Sequence, residues 1–131
     1  MVAICIVCII VIALISLFVK PTKVEADPPK IVVSQNIKVY AFEQVLNRWG
    51  DEQWAYFNDL IKRESQWNSE SQNPKSTAYG LGQFLNSTWK IVGCTKTSDQ
   101  YKQIDCTIEY VSKIYGTPQK AIVFHKKNNY Y

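Results

Sequence analysis

The chain predicts an all-α domain preceded by an apolar amino-terminal segment. Three observations carry that prediction. From residue 38 onward, apolar residues recur at spacings of three and four, the period of a helix face. Glycine and proline punctuate those stretches at their ends. No two segments alternate apolar and polar residues in the way a strand pair would. The 131 residues suffice for one domain of ordinary size and not for two.

The elements follow in order. Residues 2–19 (VAICIVCIIVIALISLFV) are almost unbrokenly apolar, with Ser16 the one hydroxyl. A core helix of a soluble domain would show a polar face, and this run shows none. Its length is near the roughly 20 residues that cross a bilayer. Two readings stand: an uncleaved transmembrane anchor, or a signal peptide cut near Val24-Glu25-Ala26. The length of the run and the charges of Lys20 and Lys23 favour the anchor. Cys5 and Cys8 lie inside it as small hydrophobes. Residues 20–37 read as a linker stiffened by Pro21, Pro28 and Pro29, with Ile31, Val32 and Val33 as a short extended piece.

The domain proper is expected over residues 38–131. Residues 38–49 place Val39, Phe42, Leu46 and Trp49 on one stripe, and Gly50 stops the helix. Asp51 is the expected cap of a helix over 51–65. Residues 81–92 align Leu81, Phe84, Leu85, Trp89 and Val92, closed by Gly93. Ser98 is the expected cap of the next helix, which carries Tyr101, Ile104, Ile108, Val111 and Tyr115 and ends at Gly116. Thr117-Pro118 opens the last helix, through Ala121, Ile122 and Phe124.

All 15 Lys/Arg and 11 Asp/Glu lie outside residues 1–19, so the net charge of +4 belongs to the remainder. That mild excess suits weak attraction to anionic polymers such as cell walls. The basic residues are scattered and no nucleic-acid motif is present, which argues against nucleic-acid binding. Cys94 and Cys106 form either a disulfide or two buried thiols. No His/Cys cluster has zinc-ligand spacing, so no metal and no cofactor is expected.

Glu64 is the residue that points to chemistry. Trp54, Phe57 and Ile61 form the apolar stripe of the 51–65 helix, and Glu64 is the next position on it. An isolated glutamate at a helix end would turn back to water. Held on that face instead, a carboxyl loses solvent and its pKa rises, which suits a general acid near neutral pH. The segment that follows favours the second reading. It offers turn formers at Asn73-Pro74 and Gly80, and the Gln83 amide, which both donates and accepts. Trp67, Tyr79 and Phe84 supply flat rings for stacking against sugars.

Those residues carry a resemblance. Glu64-Ser65-Gln66-Trp67-Asn68, Asn73-Pro74-Lys75-Ser76, Ala78-Tyr79-Gly80-Leu81-Gly82-Gln83-Phe84 and Ser87-Thr88-Trp89 together resemble the lytic transglycosylase domain, over roughly residues 45–131. Tyr110–Pro118 and the ending from Ala121 also look like small, single-domain and phage-type members. The resemblance implies a lysozyme-like helical fold and a peptidoglycan substrate. It implies that Glu64 is the single acid/base, and it points to Gln83, Asn73, Tyr79 and Tyr110 as substrate-binding residues. It further implies an extracytoplasmic domain, whether wall-associated, periplasmic or on a virion, and a secretion, conjugation or phage-entry assembly as partner. Lys20, Lys23 and Lys30 pull against that topology, because positive charge tends to stay cytoplasmic.

The chain departs from the family in three places. Asn73 stands where many members carry a serine, and Gly82 replaces a common methionine. Ala121 is followed by Ile122, so the tyrosine that often bonds the catalytic glutamate is missing from its usual position. Tyr110, Tyr130 and Tyr131 are the candidates to replace it. Asp59 and Glu70 are the nearest other carboxylates and read as solvated. His125, among lysines, reads as a surface residue. A hydrolytic muramidase, or a glycan-binding or virion-structural module without activity, remains the alternative.

Overall fold

The computed structural model describes residues 32–130, and it is all-α. Five α-helices follow one another among the described residues: α1 Val32–Trp49, α2 Trp54–Ser65, α3 Asn86–Ile91, α4 Gln100–Ile114 and α5 Pro118–Asn128. A 3-10 turn, Asp51–Gln53, joins α1 to α2. The anchor or signal segment expected over 1–19, and most of the linker, lie outside the described residues. None of the described helices is long and apolar enough to cross a membrane.

The linker ends earlier than expected. Helix α1 already contains Val32 and Val33, which the sequence reading made extended. No proline or glycine lies between Pro29 and Gly50, so nothing stops the helix from starting early. Ile37, assigned to the linker, is the first buried core residue.

The buried face of α1 is also not the expected one. Ile37, Ala41 and Val45 are buried, whereas Val39 and Leu46 are 56 % and 43 % exposed. The core-facing stripe runs at steps of four through Ile37, Ala41 and Val45 and continues to Trp49, which packs against it. Small side chains let α1 lie close on α4, where Ile104 and Ile108 join the same cluster as Phe57, Ile61 and Leu81. Polar links flank this seam. The Tyr40 hydroxyl donates to Asp105 Oδ1 at 2.6 Å, and Arg48 donates to Glu109 and Ser112.

Two smaller clusters complete the interior. Leu60, Val111, Ala121 and Ile122 join α2, α4 and α5. Phe84, Trp89, Val92 and Cys106 pack the end of the long loop against α3 and α4. A disulfide joins Cys94, just after α3, to Cys106 in the middle of α4. It closes a loop of 12 residues, a size associated with about 3 kcal/mol of stabilisation.

Several boundaries differ from the sequence reading for local reasons. Asp51 makes no side-chain cap; it starts the 3-10 turn instead, and α2 begins at Trp54. Asp99, not Ser98, caps α4, its carboxylate accepting from the Tyr101 and Lys102 N–H groups. The helix expected over 81–92 is confined to Asn86–Ile91. Leu81 and Phe84 are buried as expected but belong to the preceding turn, and Leu85 is exposed. Thr117 caps α5 with Pro118 in its first turn, as expected.

Candidate active site

Helix α2 delivers Glu64 one residue before its end. Phe57 and Ile61, on the same stripe, are fully buried, and the Glu64 side chain is only 14 % exposed. Burial pushes its carboxyl from 4.5 up to about 7. The helix end adds to the discomfort of a negative charge, since the carbonyl end of a helix is its partially negative end.

The chain then reverses sharply. Gln66 and Trp67 are both left-handed, with φ of 54° and 65°. Such residues are rare outside glycine, and two in succession need support. Trp67 supplies it. Its ring packs on the main core, and its indole N–H donates to Asn58 Oδ1 at 3.0 Å. Trp67 is therefore spent on the turn and does not line the groove beside Glu64.

Residues 69–85 fold over themselves through isolated antiparallel bridges, Gln72 with Tyr79 and Tyr79 with Phe84. Gln103 of α4 locks this loop from beneath. Its Oε1 accepts from the Leu81 N–H at 2.8 Å, and its Nε2 donates to the Ser69 and Thr97 carbonyls at 2.9 and 2.7 Å. One side chain, 1 % exposed, thus ties three separate stretches of backbone. Gly80 passes directly over it. At a φ of 82° with a Cβ position 2.7 Å from the Gln103 amide, only glycine fits there.

A groove of about 370 Å³ opens between this loop and the end of α5. Its polar lining is Glu64, Asn73, Gln83, Thr88, Asn129 and Tyr130. Gln83 is itself left-handed, with φ of 49°. Its Nε2 donates to the Ser71 and Gly80 carbonyls, which leaves Oε1 as the group it can offer a ligand. Asn73 Oδ1 accepts from the Lys75 N–H, which leaves its amide N–H groups as donors. Glu64 is the one carboxylate among the lining residues. Among the described residues, no group of three or more His, Cys, Asp or Glu could hold a metal.

Two expected substrate contacts stand elsewhere. Tyr79 is the hinge of the two bridges, and its ring lies on the third cluster under the Lys96 ammonium, 5.0 Å from the centroid. Tyr110 lies behind Phe84, at 5.0 Å between ring centroids, and bonds the Tyr115 hydroxyl. Neither lines the groove. Tyr115 is the tyrosine that feels Glu64. Burial holds its hydroxyl far above the ordinary range, with Tyr110, Tyr130 and Glu64 adding to the effect. Tyr131 lies outside the described residues.

The residue the sequence reading missed is His125. It is not on the surface: its side chain is 12 % exposed, and its Nε2 stands 2.8 Å from Glu64 Oε1. The ring N–H is not directed along that line, so the two groups touch without forming an aligned hydrogen bond. Burial lowers the imidazole's affinity for a second proton, Arg63 lowers it further, and Asp59 opposes this. Burial thus favours the uncharged form of each partner. The sequence signal for this pair was weak but present. One turn before Asn128, His125 is the only imidazole in the chain and follows an apolar Ala121-Ile122 face.

The chain matches no protein-family model, no curated protein and no solved structure.

Proposed function

We propose that this protein is a peptidoglycan lytic transglycosylase with a lysozyme-like domain held outside the cytoplasm, anchored by residues 2–19. The observation that carries the reading is Glu64, a shielded carboxyl titrating at about 7 and facing a groove otherwise lined by amides, hydroxyls and apolar groups. At neutral pH such a group holds a proton for part of the population and accepts one for the rest, as an acid/base needs.

The reaction uses Glu64 twice. The protonated carboxyl donates to the β-1,4 glycosidic oxygen between N-acetylmuramic acid and N-acetylglucosamine, and the C1–O bond breaks. The N-acetyl carbonyl of the muramoyl sugar closes on C1 and holds the positive charge. The Glu64 carboxylate then takes the proton of the 6-hydroxyl, whose oxygen displaces the N-acetyl group and closes the 1,6-anhydro ring. Proton and charge balance without a second carboxylate, unlike the usual two-carboxylate scheme.

The surroundings favour this over hydrolysis by a muramidase. Although burial raises its pKa, Asp59 is held below the ordinary carboxylate range by Arg63 and Lys126, at 3.1 and 3.3 Å. Glu70 is exposed and lies outside the groove lining. Gln83 and Asn73 offer an acceptor and donors for the N-acetyl and hydroxyl groups of a sugar. The Cys94–Cys106 disulfide suits an oxidising compartment outside the cytoplasm.

Mass spectrometry of muropeptides released from purified peptidoglycan by the detergent-solubilised full chain tests the reading, beside Glu64→Gln. Anhydro-muropeptides from the wild type alone are the expected result. Reducing-end products would replace the transglycosylase with a muramidase. Binding without release would make the domain a glycan-binding module.

A further inference from the structure

Helix α5 brings the chain's single histidine against its single groove carboxylate. We propose that His125 is a positioning residue for Glu64, holding Oε1 so that Oε2 faces the groove and sharing the proton that Glu64 gives and takes. The proposal rests on Glu64 being the acid/base of the groove.

The geometry supports it in four ways. The 2.8 Å approach is within hydrogen-bond distance. The soft terminal torsion of a histidine allows the small ring rotation that would align it, and catalytic hydrogen bonds often tighten only once substrate is bound. His125 does not line the groove, so it reaches substrate only through Glu64. Helices α2 and α5 pack more extensively than any other pair of elements, which holds the two side chains in register.

The charge environment is mixed. From α2, Arg63 opposes an imidazolium and Asp59 favours it. Lys126 and Lys127 flank His125 on its own helix, with Lys126 neutralised by Asp59. Tyr115, beyond the end of α4, feels Glu64, and through it Tyr110 and Tyr130 join the cluster. One proton on the pair suits the first step: Glu64 holds it and His125 is neutral. When Glu64 has given that proton to the glycosidic oxygen, its carboxylate faces the imidazole N–H. The 6-hydroxyl proton later restores the starting state. A second proton on the pair would leave an imidazolium beside the carboxylate and weaken it as a base. The pair therefore titrates as a unit.

A single histidine gives one unambiguous set of ring signals. The first test follows them by NMR against pH in the full chain in detergent micelles, for wild type and Glu64→Gln. In the wild type the ring signals are expected to show, beside the ring's own protonation, a second inflection as Glu64 ionises at about 7, and Glu64→Gln is expected to lose it. An unchanged titration overturns the proposal, whether or not the protein cleaves glycan. The second test compares pH–rate profiles of wild type, His125→Gln and His125→Ala on peptidoglycan. The wild type is expected to be bell-shaped. His125→Gln, which keeps a donor and cannot titrate, is expected to lose the acid limb and stay within about tenfold of wild type near neutrality. His125→Ala is expected to lower kcat by about a hundredfold with KM little changed. Persistence of the acid limb in His125→Gln overturns the proposal. Absence of anhydro-muropeptides from the wild type would sink the transglycosylase reading alone, and the NMR comparison would still decide the pair.

Discussion

Replacing Glu64 with glutamine should make the protein more stable in mild alkali while removing its activity. Glutamine has nearly the shape of glutamate and no charge to bury. The sign follows from linkage. A carboxyl whose pKa is raised on folding binds its proton more tightly in the folded state. Its contribution is therefore fully present below 4.5 and is lost as pH rises through about 7. Each unit of displacement is worth about 1.4 kcal/mol, so ionising Glu64 in place costs the fold roughly 3 kcal/mol above both values. For a domain of this size, that converts to a Tm difference on the order of 10 °C. The assay is thermal unfolding of wild type and Glu64→Gln at about pH 5 and about pH 8.5, values that bracket the transition. The variant should melt close to the wild type at the lower pH and well above it at the higher. Equal differences at the two pH values would refute the argument that a shielded, reluctantly charged carboxyl sits in this groove.

Three further outcomes follow from the loop and its supports. Gln103→Ala strips partners from the Leu81, Ser69 and Thr97 backbone groups and should cost about 2–4 kcal/mol in denaturant unfolding, with loss of cleavage as the groove loop loosens. Reducing Cys94–Cys106, or replacing both cysteines with serine, should lower stability by about 3 kcal/mol, read as a drop in the denaturant midpoint with a steeper slope as the unfolded chain expands. Asp99→Ala should cost about 1 kcal/mol through the lost cap of α4, whereas Ser98→Ala should be nearly silent; equal effects would contradict the cap assignment.

Much of the fold was legible because helices advertise themselves locally. The spacing of Phe57, Ile61 and Glu64, the Gly116 stop and the Thr117-Pro118 start all refer to neighbours within a few residues, and these appear where expected. The errors arose where tertiary packing chose between local options. On α1, the spacing of Val39, Phe42 and Leu46 suggested one face, but packing against α4 selected Ile37, Ala41 and Val45. At 81–92, apolar spacing was compatible with a helix, yet the Gln103 amide captured the Leu81 N–H and held that stretch as a turn. Ser98 and Asp99 are both good caps, and one residue of register decided between them.

The site divides along the same line. Glu64, Asn73 and Gln83 occupy one continuous stretch of chain, and the groove gathers them together. Tyr79 and Tyr110 were legible as aromatic residues near that stretch, but their rings are used to build it. His125 and Tyr115 come from separate elements, and no periodicity within one helix announces a partner on another. Gln103 was invisible for the same reason, since its three partners lie in three different segments.

Helix α5 has a consequence for how such a chain is made. A polypeptide is synthesised from its amino end, so the α2 segment with Glu64 emerges well before residues 118–128. Until α5 docks, Glu64 has neither its histidine nor the wall of the groove formed by Asn129 and Tyr130. A nascent chain would carry an ordinary, hydrated carboxylate at this position. The chemistry proposed for the groove would then be assembled only when α5 docks, after every other described element has been made.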